Sequence, residues 1–541
     1  MAINRNTLFK RLIAAKEKII KDKSFNYMAD FKRGKIVAAI RLEMINNTLG
    51  LLINEFEHNT DSMGVDLNCR SIIEASSLIK MLQSNDLSDE VVAKFCFYNQ
   101  YRILIFKKEI LKDNPIFDDF GLNELKEITK NTSDEYEKQI EDLIAKYQEV
   151  FSMTKEETIE ILKARDPLLI GKNTFGSITH RYLGDEYYSL RRFFSFGVHP
   201  FYFHQVDIDF RNGMKLKLIT RVLELVEDML NEIDIDINGI QSYQQYKKNK
   251  QEVIDTINKV CEAYGNSKKG FGGDGYFRCY VSQRKSMIKD CALMALFSID
   301  LQFQCKYKIF IELFAMHEKM TESMTNGKDH ANKFADLFKA NSYYNFSRIL
   351  NEHVLYNSPD LRRITDNLKE DVDKYTTEAL EISEGIAKED LLEGFANNPL
   401  FFINFDKKQT IIETINYLIA RHIDGEGMGM VMKAIYDISA SIDHPSGLIF
   451  DSSSSIFVDY NTTQLYLLMS LYEASIFGLA AHFIPENGEY LKQQFIKFTD
   501  KNKNVFMAAI QNMIERHSEY TFEINKYSDI YDDLATRIRE F

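Results

Sequence analysis

Arg192 and His199 are separated by six residues in "RRFFSFGVHP", with Ser195 between them and Pro200 directly after the histidine. Proline disfavours the α conformation in the residue before it, so a helix through this stretch ends at His199, where the helix dipole favours an imidazolium. A histidine so placed can be partly exposed and titratable near neutral pH, which suits it to proton transfer. Arg191 and Arg192, with Arg181 upstream, add cations beside it. A second pairing lies far upstream in "NCRSIIEASSLIKML", where the i, i+4 spacing of Arg70 and Glu74 sets both side chains on one helical face.

These elements recur. The chain has eleven histidines and seven prolines, so two His-Pro pairs exceed what shuffling gives, and the second is His444-Pro445 in "YDISASIDHP". Ahead of it, "NFSRILNEHVLYNS" carries Arg348 and Glu352 at the same Arg-x-x-x-Glu spacing. Each Arg-x-x-x-Glu helix follows another apolar-periodic helix, "AAIRLEMINNTLGLLINEF" or "MALFSIDLQFQCKYKIFIELF". Long charged helical stretches then precede each His-Pro, and "KLKLITRVLELVEDML" or "TTQLYLLMSLYEASIFGLAAHF" follows it. The common order predicts an internal duplication: an N-terminal helical repeat over 1–240, a connecting helix and Gly-rich loop over 241–284, and a C-terminal helical repeat over 285–541. The expected fold is all-α, two tandem helical bundles related by a pseudo-twofold axis. "FYFHQVDIDF" alternates briefly in strand fashion, but no hairpin turn pairs it with a partner.

The segment "NTFGSITHRYLGDEYYSLRRFFSFGVHP" resembles a bacterial helical family of unknown function, marked by an Arg-x-x-x-Glu helix and a Tyr-Arg…Ser…His-Pro signature. The matching residues here are Arg70, Glu74, Tyr188, Arg192, Ser195, His199 and Pro200. In the second half Arg348, Glu352, His444 and Pro445 persist, while Asp437 stands where Arg192 would align. The Arg192-to-His199 spacing is also similar to that of the HEPN superfamily of nucleotide-binding and ribonuclease domains. That similarity implies metal-independent RNA cleavage in bacterial stress response or antiviral defence. His199 would be general acid/base on the attacking 2′-hydroxyl, and Arg192 would stabilise charge on the phosphate. Ser195, Arg70 and Glu74 would complete the catalytic set, and Tyr188, Arg191, Arg348, Glu352 and His444 would line a binding surface for RNA or a nucleotide.

The same residues have a purely structural reading. Arg70 and Glu74 can form an intrahelical pair, Ser195 can bond back into its helix, and His199 can donate to a neighbouring carbonyl. On that reading the protein is a non-catalytic helical module that binds a protein or small ligand between its halves. Metal chemistry fits less well. Glu55 and His58 in "EFEH" have the Glu-x-x-His spacing of di-iron bundles but lack a clear second copy, and His199, His204 and Asp207 follow no helical register after Pro200. "KKGFGGDGYFR" follows no predicted strand and reads as a linker rather than a phosphate loop. No cofactor is expected.

Composition narrows the class. Apolar residues make up 45% of the 541 and Gly and Pro are few, which excludes extended disorder. The six cysteines form no CxxC pair, so reduced thiols and a cytoplasmic location are expected. The N-terminus lacks an export-signal pattern, and "LYLLMSLYEASIFGLAAHFI" contains Glu473 and His482, which fits a buried helix better than a membrane span. A net charge of -13 opposes general adsorption to nucleic acid and leaves only a local basic groove for it.

Overall fold

The computed structural model describes residues 4–21, 33–54, 63–84, 87–111, 123–163, 174–197, 208–271, 387–397, 484–516 and 524–540, with isolated positions between 285 and 381 and at 480. Every regular element among them is helical and none is a strand. The N-terminal helices are α1 (Arg5–Lys21), α2 (Arg33–Asn54), α3 (Met63–Gln83), α4 (Asp89–Leu111), α5 (Asn123–Phe151), α6 (Lys155–Lys163), α7 (Phe175–Leu183), α8 (Asp185–Gly197) and α9 (Ile208–Leu230). They are followed by α10 (Tyr243–Asn249), α11 (Gln251–Asn266), α12 (Lys388–Asn397), α13 (Gly488–Arg516) and α14 (Ile524–Glu540).

Local chemistry sets the helix starts. Asn4 Oδ1 accepts from the amides of Asn6 and Thr7 at the head of α1, and Ser242 Oγ accepts from Gln245 at the head of α10. Thr154 and Glu157 form a reciprocal capping box at α6, and Thr174 and Ser177 form another at α7. Gly184 joins α7 to α8 at φ 84°, a left-handed conformation that a Cβ would strain.

α3 is the axis of the N-terminal body, packed by α2, α7, α8 and α9. Its side chains are buried on every face from Val65 to Ile79, as expected of a helix enclosed on all sides. Arg33 at the start of α2 closes the open end of α3. Its guanidinium donates to the carbonyls of Leu82, Ser84 and Leu87 and pairs with Asp89 at 2.8 Å, supplying orphaned C-terminal carbonyls with a cation. α2 is long and apolar enough over Arg33–Ile53 to cross a membrane, and most of that stretch is buried against neighbouring helices.

Residues 241–271, the described part of the expected connecting helix and Gly-rich loop, carry α10 and α11, and 272–284 lie outside the described residues. α10 docks on α1, with Phe9 between Tyr243 and Tyr246 at ring distances of 5.3 and 5.2 Å. α11 buries Ile254, Ile257, Val260, Cys261 and Tyr264 and packs along α13, which in turn packs on α14. The Tyr490 hydroxyl donates to the carbonyl of Asn266, and Gly270 lies so close to Leu491 that an added Cβ would meet it at 2.6 Å. The apolar core is continuous from Leu8 to Ala535 through these contacts.

The N-terminal helices foreseen from periodicity are present as α2, α3, α5 and α9, and α9 begins at Ile208, so the end of the alternating stretch is helical. The apolar helices read at 294–314 and 462–483 lie almost entirely outside the described residues, as do Glu352, Asp437, His444 and Pro445.

Candidate functional site

Asp66, Arg70, Glu74 and Ser77 recur along α3 at spacings that hold them within an arc of about 80° over about 16 Å. A polar stripe therefore runs down a helix that is otherwise enclosed by apolar contacts. Each member meets a partner. Lys215 of α9 reaches Asp66 at 2.8 Å, with side-chain exposures of 5% and 7%. Arg70 Nε lies 3.0 Å from Glu74 Oε1, the intrahelical pair the spacing predicted. Arg191 of α8 brings Nε and Nη2 to the same oxygen at 2.8 and 2.7 Å. Further along, the Thr179 hydroxyl of α7 meets Ser77 Oγ at 3.3 Å.

Glu74 is fully buried, while Arg70 and Arg191 keep 10% and 15% of their side chains exposed. A buried carboxylate must be compensated, and here two guanidiniums converge on one of its oxygens. Glu74 is therefore shielded from any ligand by the arginines that hold it. It fixes them, and through Arg191 it fixes the roll of α8 against α3.

That roll decides what α8 presents. Tyr188, Arg191, Arg192 and Ser195 span an arc of about 100°. With Arg191 turned inward onto Glu74, Arg192 occupies a half-buried position beside it, and Tyr188 is also half-buried. Among the described residues, Ser195 Oγ is buried without a hydrogen-bond partner. Gly176 of α7 leaves room for this arrangement: an added Cβ would lie 3.3 Å from the Tyr188 ring and 3.7 Å from Arg191 Nη1.

His199, two residues past the end of α8, lies outside the described residues, as do Glu55, His58, His204 and Asp207. Arg348 is described and half-buried. Among the described residues no group of three or more His, Cys, Asp or Glu side chains could hold a metal ion.

Two pairings escaped the sequence reading. Asp66 extends the stripe one turn before Arg70 and was visible by the same spacing, but Lys215 lies 149 residues away and carries no signal of its own. The other is His180, whose Nε2 lies 2.7 Å from Asp185 Oδ1 across the Gly184 junction. Comparison of the chain with protein-family models, curated proteins and solved structures found no match.

Proposed function

We propose that the protein is a metal-independent RNA-cleaving effector of HEPN-like type, acting through Arg192 and His199. The observation that supports the reading is the Arg191 to Glu74 clamp, which turns the first of two adjacent arginines into the core and sets Arg192 about 100° away around α8. In the proposed step His199 takes the proton from a ribose 2′-hydroxyl. The O2′ to phosphorus bond forms, the P–O5′ bond breaks, and O5′ leaves with the proton that His199 returns as general acid, giving a 2′,3′-cyclic phosphate. Arg192 offsets the negative charge that builds on the phosphoryl oxygens. The tandem duplication would supply a second, supporting copy, with Asp437 at the position equivalent to Arg192.

A second reading, a non-catalytic module for a protein or small ligand, is favoured by the net charge of -13 and by the full burial of Glu74. The two are separated by incubating purified protein with labelled single-stranded RNA in the presence of a chelator, beside Arg192→Ala and His199→Ala variants. Cleavage by the parent protein that both substitutions abolish supports the effector. Cleavage that survives them, or none under any condition, leaves the binding module.

A further inference from the structure

The dipeptide Asn-Gly occurs four times in the chain, beginning at Asn212, Asn238, Asn326 and Asn487. An asparagine before glycine can modify itself, because the glycine amide nitrogen attacks the side-chain carbonyl carbon and a residue without a Cβ leaves that approach open. The fold separates the four. Asn212 lies within α9, where a helical backbone commits successive amides to carbonyls one turn back. At the head of α13 the Gly488 amide donates to the Pro485 carbonyl, and the Gly488 backbone is helical at φ -56° and ψ -43°. Asn326 lies outside the described residues.

Asn238 sits with Gly239 in an exposed turn between α9 and α10, closed by a hydrogen bond of 3.3 Å from the Ile240 amide to the Ile237 carbonyl. Gly239 has φ 78°, and a Cβ added to it would meet nothing within 4 Å. The Asn238 amide donates to Asp236 Oδ1 at 2.9 Å, whereas neither the Asn238 carboxamide nor the Gly239 amide has a hydrogen-bond partner among the described residues. Nucleophile and electrophile are therefore adjacent, exposed and uncommitted.

We propose that Asn238 is a site of spontaneous deamidation. The Gly239 nitrogen, its proton taken by hydroxide, bonds to the Asn238 carboxamide carbon. The bond from that carbon to the side-chain nitrogen breaks, and ammonia leaves after taking a proton from water, with a cyclic succinimide behind. Water then opens the ring at either carbonyl, so asparagine and water become ammonia and either aspartate or isoaspartate. Both products carry a new negative charge at neutral pH, since an aspartyl carboxyl titrates at about 3.9. Isoaspartate also routes the main chain through its side-chain carbonyl and so lengthens it by a methylene. The turn belongs to a strap pinned to α1 at both ends: Lys18 donates to the Asp234 carbonyl at 2.6 Å, and Asn6 Oδ1 accepts from the Tyr243 amide at 2.9 Å. A longer strap slackens the seat of α10 on α1.

The test holds the purified full chain in mildly alkaline buffer and maps digests over time by mass spectrometry, beside the chain in urea and an Asn238→Gln variant, whose longer side chain closes the ring slowly. In the folded protein the peptide around 238 should gain the mass of water less that of ammonia well before the peptide around 487, at a rate that rises with hydroxide concentration. In urea that lead should disappear. Hydrogen exchange in α10 should become faster in the aged protein, but not in equally aged Asn238→Gln or in fresh Asn238→Asp, which adds the charge without the length. Conversion at 238 no faster than at 487 in the folded chain overturns the site. Isoaspartate at 238 with unchanged exchange in α10 overturns the slackening.

Discussion

Glu74 and Arg191 join α3 to α8 across 117 residues of sequence through a single carboxylate oxygen that accepts both Nε and Nη2 of the arginine. The acceptor is fully buried, and Arg70 approaches it from its own helix. Removing it leaves two guanidiniums with little water to turn to. Glu74→Ala is expected to destabilise the fold by about 3–5 kcal/mol, read from the urea midpoint. A loss below about 1 kcal/mol would mean that the interior admits water at this point.

Asp66 and Lys215 offer the complementary case, a buried pair one turn further along the same stripe. Lys215→Met alone strands the Asp66 carboxylate and should cost roughly 3 kcal/mol or more. Adding Asp66→Leu should recover most of that loss, because desolvating a pair offsets much of its attraction. A double-mutant cycle on the urea midpoints checks this, and a double variant as unstable as the single one would refute it.

Glu232, just beyond α9, gathers Arg41 and Lys80 from α2 and α3, with Gln83 also donating to it. Burial pushes its carboxyl up, but hydrogen bonds from Lys80 and Gln83 and the charges of Lys80 and Arg41 outweigh it and hold the group below its ordinary 4.5. A lowered folded value means that the contribution is complete above the unfolded value and is lost as pH falls through the folded one. The stability difference between parent and Glu232→Gln should therefore be constant above about pH 5.5 and shrink from about pH 4.5 downward. A difference that grows on acidification would contradict these pairings of Glu232.

Much of this was legible in the residues. Helical class followed from apolar spacing such as that of Ile254, Ile257 and Val260, which needs no knowledge of the partner helix. The Arg70 to Glu74 pair followed from the rise of an α-helix. Which of Arg191 and Arg192 turns inward did not, because the two differ by about 100° of rotation and only the docking of α8 on α3 selects between them. Nor did spacing disclose what the helix expected in the connecting segment packs against. Its apolar face was visible, but α13, the surface that covers it, follows more than two hundred residues later.

That separation between α11 and α13 sets an order of events on the ribosome. At bacterial and eukaryotic elongation rates of about 5–20 residues per second, α11 is made roughly 10–45 seconds before the first turn of α13 emerges. During that interval Ile257, Val260 and Tyr264 lack the cover that α13 gives them. The nascent chain must either shield this stripe with a chaperone or hold it in transient non-native contacts, and closing so long a loop comes late in folding. Truncation before Gly488 should therefore yield chains that pull down with holdase chaperones, although every residue of the Glu74 clamp is already in place.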